Sequence, residues 1–266
     1  HNGTEGTSVE VKSQSISMLF GYQPTENFNF YAGPVYQTIK GDVQLRGLAY
    51  GGNATFGGYN ASIKETGDIG WLAGAAFQIP DIALKASVTY RSEIEHSVNV
   101  KESFNSAGLF AALNAAPSLD TDITTPQSVN LDFQTGIMAN TVAFANVRWV
   151  DWSNFSIQPY KFGIASKNAI VQGQTGKPEF DLVAYTDDQI SATVGVGRKL
   201  NDQWAGNVSV GWDSGAGNPV TTLGPTEGYW NLGLGAQFSP TPQTFIAGGV
   251  KYFWLGDAKA QSAAQF

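Results

Sequence analysis

Cysteine is absent from all 266 residues, which excludes disulfide scaffolds and thiolate metal sites. A chain without cysteine also suits passage through an oxidising periplasm. Charge is scarce, at 14% of residues against roughly 25% in ordinary soluble domains. The net charge is −7 with a pI near 4.8, and the basic residues are scattered singly. No cluster could hold phosphates, so nucleic acid is excluded as a partner. Long apolar runs are missing too: no window approaches the roughly 18 residues of a transmembrane helix. Catalytic patterns are equally thin, with no Gly-x-Ser-x-Gly elbow and no Walker loop, and nothing implies an enzyme or a cofactor. Gly195-Val196-Gly197 lies inside a strand-like run, where glycines make room rather than cradle phosphate. There are 2 histidines, His1 and His96, far apart in the chain, and a metal site needs three or four convergent ligands. His96, close to Glu93 and Glu95 on a strand running toward a long loop, reads as a solvated side chain.

Glycine (31 residues) and aromatics (12%) are plentiful, and the chain has a rhythm of strand, very short turn, strand and long loop. Tight connections are expected at residues 23–27, 80–81, 139–140, 201–203 and 239–243, and long loops at 47–68, 101–126, 155–188 and 213–228. The strand-like runs have a period of two. In residues 204–213, Trp204, Val208, Val210 and Trp212 alternate with Asn207, Ser209, Gly211 and Asp213; residues 83–95, 127–137, 189–197 and 229–238 behave in the same way.

A soluble β-sandwich would alternate as well. Three features favour an all-β, antiparallel up-and-down transmembrane barrel forming a single domain over residues 1–266. Residues 8–22 and 28–48 form runs far longer than the roughly 5–6 residues of soluble strands. Tyr22, Phe28, Phe77, Trp204, Phe238 and Phe245 cluster beside the short turns, where an interfacial girdle belongs. The opposite face keeps small and polar residues that suit a lumen. A mean hydropathy of −0.14 is then the average of lipid-facing and lumen-facing residues, with the backbone satisfied between strands. About ten strands are counted, an even number as bacterial barrels require. Residues 141–152 break the scheme, because Val142 and Phe144 share a face with Asn146 and Arg148. Either a bulge shifts the register or the lumen is partly apolar there.

Several ordered stretches resemble the FadL-type transporters of the Gram-negative outer membrane, a family of long-chain fatty acid and aromatic hydrocarbon channels. They are Gly70-Trp71-Leu72-Ala73-Gly74-Ala75, Pro80-Asp81-Ile82-Ala83-Leu84, Val88-Thr89-Tyr90-Arg91-Ser92-Glu93-Ile94, Thr125-Pro126-Gln127-Ser128-Val129, Val147-Arg148-Trp149-Val150-Asp151-Trp152-Ser153-Asn154-Phe155 and Asp187-Asp188-Gln189. The resemblance implies a barrel of fourteen strands plugged by an N-terminal hatch. The ten strands here correspond to the fourth through thirteenth, so the chain reads as an internal portion lacking the hatch and the last strand. Phe266 mimics a C-terminal outer-membrane aromatic, although its neighbours do not alternate.

Two loops carry the candidate substrate contacts. Residues 105–116 are expected to form a helix with Leu109, Phe110 and Leu113 on one face, closed by Pro117. Residues 47–59 supply Leu48, Tyr50, Phe56 and Tyr59. The plain reading is loop packing on loop; the functional one, which the resemblance implies, is a greasy groove that captures a hydrophobic molecule. Lys85, Arg91 and Arg148 are candidate lumenal cations for a substrate carboxylate, unless each pairs with Glu93, Glu95 or Asp132. The function expected is passive uptake of hydrophobic small molecules, with long-chain fatty acids first and hydrocarbons next. The barrel itself would be embedded in outer-membrane lipid and lipopolysaccharide. The alternatives are a general porin and a structural or adhesive barrel.

Overall fold

The computed structural model describes residues 6–220 and 227–259; His1, Phe266 and part of the loop 213–228 lie outside them. The strands, in chain order, are β1 (Ser8–Ser17), β2 (Phe20–Tyr22), β3 (Phe28–Gln44), β4 (Asn60–Ile79), β5 (Leu84–Arg91), β6 (Ile94–Ser103), β7 (Asp120–Thr125), β8 (Ser128–Met138), β9 (Thr141–Val150), β10 (Ser156–Ile157), β11 (Val183–Ala184), β12 (Gln189–Lys199), β13 (Trp204–Asp213), β14 (Tyr229–Thr241) and β15 (Thr244–Leu255). Two short helices, α1 (Tyr160–Ser166) and α2 (Ala169–Thr175), lie between β10 and β11. The sheet runs β1-β3-β4-β5-β8-β9-β12-β13-β14-β15, with every neighbouring pair antiparallel. Among the described residues β1 and β15 are its two edges.

The tight turns follow from local chemistry. Asn140 takes a left-handed φ of 57° between β8 and β9, a conformation asparagine tolerates better than most residues. Asn201 Oδ1 accepts the N–H groups of Gln203 and Trp204, an Asx turn that reverses the chain into β13. The last turn is shorter than expected, because β14 runs on to Thr241 and β15 starts at Thr244. The first strand is two: pairing with β3 breaks at Met18–Leu19, where Met18 N–H donates to Pro34 O at 3.1 Å. Pro34 has no N–H to return.

Residues directly opposed across a strand pair share a face. Tracing the registers puts Trp71, Phe77, Val88, Leu131, Val147, Val194, Val210, Leu234 and Val250 on one face. Between two rows of rings its one charge among the described residues is Arg198, opposite Gly206 and one outward position above Trp204. The lower row holds Phe28, Phe77, Trp204 and Phe238, and the upper holds Trp71, Tyr90, Trp149, Trp212, Trp230 and Trp254. From Trp204 to Trp212 the rise is about 26 Å along the strand, close to the roughly 25 Å apolar band of an outer-membrane barrel. Phe245, expected in the girdle, falls on the other face by its alternation with Ile246. Beyond the upper row the outward face turns charged, with Glu10, Lys12, Lys40, Asp42, Glu95, Lys101, Asp120 and Asp122, so that end of the sheet stands clear of lipid.

The other face is concave: residues of β3, β4, β5, β8 and β9 line one cavity of about 510 Å³. The strand that resisted assignment is settled by its register. β9 pairs with β12 without interruption from Val150 to Thr141, which puts Phe144 and Val142 inside beside Asn146 and Arg148. The lumen is partly apolar, and no bulge intervenes.

Candidate functional site

At the charged end, the loops are shorter than expected and fold inward. β3 and β4 stay paired up to Gln44 and Asn60, leaving 45–59 as the loop, and β6 pairs with β7 so that only 104–119 projects. Loop 45–59 turns through Gly47 and Gly51, with φ of 90° and 73°. Phe56 N–H then returns to Tyr50 O at 3.1 Å. That coil drives Tyr50, Phe56 and Tyr59 inward and leaves Leu48 90% exposed.

Loop 104–119 does not form the expected helix; only a 3-10 turn, Ala111–Ala115, is present. Asn105 Oδ1 takes the N–H of Ala107 at 2.9 Å, which competes with helix formation, and Gly108 follows within the same turn. Asn114 instead imitates a strand partner: its amide bonds both the N–H and the C=O of Phe104, at 2.8 and 2.9 Å. Phe110 is buried and Leu113 packs on the core, whereas Leu109 is 44% exposed.

The third contributor is the segment 155–188, read from the sequence only as a long loop. Pro159 precedes α1, Asn168 caps α2 by accepting Ile170 N–H, and Gly176 ends α2 in a left-handed conformation. That succession is a helix signature in the sequence itself. It delivers Phe162, Val171, Phe180 and Leu182 to the same core. Phe56 is the centre: its ring centroid lies 4.9 Å from Phe162, 5.2 Å from Phe110, 5.5 Å from Phe180 and 6.3 Å from Phe104. Beside Phe56, Tyr50 and Phe180 runs a cleft of about 40 Å³.

A carboxylate is built into this apolar core. Glu102 is buried; it accepts the Tyr59 hydroxyl at 2.8 Å and the N–H groups of Lys161 and Phe162 at 2.8 Å each. Charge-assisted bonds of this kind tie two loops, 45–59 and 155–188, to β6. Burial first, and then the neighbouring carboxylate, pushes the Tyr59 phenol well above its ordinary range.

The profile of the outer membrane protein transport proteins (OMPP1/FadL/TodX) matches residues 1–265. The chain belongs to that family. It is therefore a protein of the Gram-negative outer membrane, in a family of transport proteins rather than enzymes. No protein among the curated ones matches it. In fold it is similar to the toluene transporter TbuX of Ralstonia pickettii, with TM-score 0.56, 11% identity, 92% of this chain and 63% of that one. It is also similar to the toluene transporter TodX of Pseudomonas putida, with TM-score 0.57, 13% identity, 94% of this chain and 66% of that one. The chain thus spans just under two thirds of the length of these relatives.

Below the mouth of this OMPP1/FadL/TodX barrel wall, Lys85, Arg91 and Arg148 all point into the lumen, as their registers with Gln134, Ser128 and Asn130 require. They do not converge: Lys85 lies three inward positions below Arg91, in the cavity that also holds Phe144. Two of the three expected neutralising partners, Asp132 and Glu95, are turned to other uses. Asp132 accepts from Asn130 and Asn146 at 2.5 and 2.7 Å. A break at Ser92–Glu93 shifts the strand phase, so that Glu95 faces outward. The same shift overturns the expectation for His96, which is 0% exposed and faces inward. Lys251 is a fourth inward cation, opposite Gly233; strand 244–255 could have been phased from the sequence, and its alternation with Val250 and Tyr252 was the available signal.

Proposed function

We propose that this chain forms the wall and mouth of a passive channel for uptake of hydrophobic small molecules, with long-chain fatty acids as the leading substrate. The observation that carries this reading is the aromatic core around Phe56, which fills the extracellular mouth where a general porin needs water. Substrate partitions into the ring-lined cleft and moves down its gradient into the lumen, where Phe144 offers an apolar contact. A fatty acid rather than a bare hydrocarbon is favoured by the lumenal cations. Lys85, Arg91 and Arg148 form no ion pair among the described residues, while Asp132 is satisfied by amides. An aromatic hydrocarbon, the cargo named for TodX and TbuX, is the second reading, since the cleft beside Phe56 is lined by rings.

The two readings separate in uptake by cells producing the full-length protein. Arg91→Gln with Arg148→Gln should lower oleate uptake and leave toluene uptake unchanged. Equal loss of both, or of neither, contradicts the fatty-acid reading.

A further inference from the structure

The inner face of β12 to β15 is nearly bare. Its inward positions include Gly195, Gly197, Gly211, Gly233, Gly235 and Gly249. Glycine weakens a strand interior, and where it recurs it marks the close approach of another group. At several of these glycines the approaching group is a side chain directly paired with it. The Asn207 amide nitrogen lies 2.6 Å from where a Cβ on Gly235 would stand. Over Gly233 two side chains meet from opposite strands. Ser209 Oγ lies 2.5 Å, and Lys251 Cγ and Cε lie 3.5 and 3.6 Å, from where its Cβ would stand. Ser209 on β13 and Lys251 on β15 are both paired with Gly233. The missing side chain thus lets a lysine and a serine lie across the wall toward one another.

From that spot the wall continues as an open trough of about 590 Å³, reaching from Ser209, Gly233 and Lys251 down to Ala205, Gln237 and Ala247. Small-molecule sites enclose roughly 300–1,000 Å³. The glycine and alanine floor presents Cα–H groups, because its backbone N–H and C=O groups are used in the strand ladders. Charge is confined to the upper end. Lys251 forms no ion pair among the described residues. The other inward charges of these four strands are engaged. Asp213, higher on β13, accepts from Gln189 Nε2 and from the N–H of Gly215. Lys199, at the foot of β12, pairs with Asp202 at 3.4 Å. An uncompensated ammonium at one end of a smooth, uncharged trough is complementary to a molecule with one anionic end and an apolar tail.

We propose that this trough is a lumenal binding site for a long-chain carboxylate, with the head group held by Lys251 and Ser209 and the chain laid over the glycines below. The inference rests on the fatty-acid reading above and gives that substrate a site on strands other than those of the ring cluster, Lys85, Arg91 and Arg148. The ammonium and the hydroxyl both donate to the carboxylate, and the charge-assisted bond is the stronger of the two.

The test is protection of a thiol rather than uptake. Ala247→Cys, on the lower floor, is made the only cysteine of the full-length protein in outer-membrane vesicles. Its reaction with a water-soluble maleimide is followed as oleate is added. Thr193→Cys, inward on β12 but outside the trough, reports any effect of oleate on the vesicle itself. Oleate should slow Ala247→Cys at least about fivefold more than Thr193→Cys. Adding Lys251→Gln should raise the oleate concentration for half-protection by about tenfold or more, the usual worth of a hydrogen bond to a charged group. Oleyl alcohol, which keeps the chain and lacks the charge, should protect weakly and be indifferent to Lys251→Gln. Equal slowing of the two thiols, with oleate still taken up by cells producing the parent, overturns the site and leaves the fatty-acid reading standing. Protection that survives Lys251→Gln unchanged overturns it as well. Absence of oleate uptake by the parent overturns the fatty-acid reading and the site with it.

Discussion

The Tyr59 hydroxyl donates to the Glu102 carboxylate at 2.8 Å, and that carboxylate also receives the first N–H groups of α1. An acid group is thereby kept inside an aromatic core because its bonds join two loops, one through Tyr59 and one through the start of α1.

Glu102→Gln keeps the shape and removes the charge. It should cost about 1.5–3 kcal/mol, the usual worth of hydrogen bonds to a charged group, whereas Tyr59→Phe should cost nearer about 1 kcal/mol. Urea unfolding checks both, and proteolysis of segment 158–178 should accelerate in Glu102→Gln before the barrel itself unfolds.

Phe56 and Leu48 sit on one loop and should behave oppositely. Phe56→Ala removes the ring at the centre of the cluster and should cost about 3–5 kcal/mol. Leu48→Ala, at a position 90% exposed, should stay within about 0.5 kcal/mol. Thermal unfolding of the paired variants decides this.

In the lumen, the Phe144 ring lies where a side chain on Gly195 would be, the two residues being directly paired across β9 and β12. Gly195→Val should therefore displace the ring and press on the Val208 carbonyl oxygen, 2.6 Å from the added Cβ, at a cost of at least about 1–3 kcal/mol, and reduce substrate flux. Adding Phe144→Ala should restore part of the stability. Additive losses in the double variant would show that the two positions do not touch.

Much of the wall was legible in the sequence, since period-two alternation and turn chemistry are local signals. The mouth was less so, for physical reasons. The helix expected at 105–116 gave way to an Asx turn at Asn105, and Leu109 was left outside the core that Phe110 entered. Tyr50, Phe56, Tyr59, Phe110 and Leu113 do meet, but Phe104, Phe162, Phe180 and Glu102, which complete the core, come from segments whose approach no local pattern encodes. His96 was misplaced by a single phase shift at Ser92–Glu93, and one residue of slip exchanges the two faces of a strand. For residues 141–152 the sequence left two options open, and only the continuous register with β12 chose between them.

The central claim is that the ring cluster at the mouth is where a hydrophobic substrate is taken up. The most direct measurement is uptake of labelled oleate by cells that lack their own transporter and produce the full-length protein, its Phe110→Asp variant or, as a control, Leu48→Asp. Membrane levels of folded barrel are matched, and leakage of a small hydrophilic solute is followed in parallel. The account predicts oleate uptake with the parent and the control, its collapse with Phe110→Asp, and no solute leakage through the parent. Solute leakage through the parent without oleate uptake would contradict it and leave a general porin.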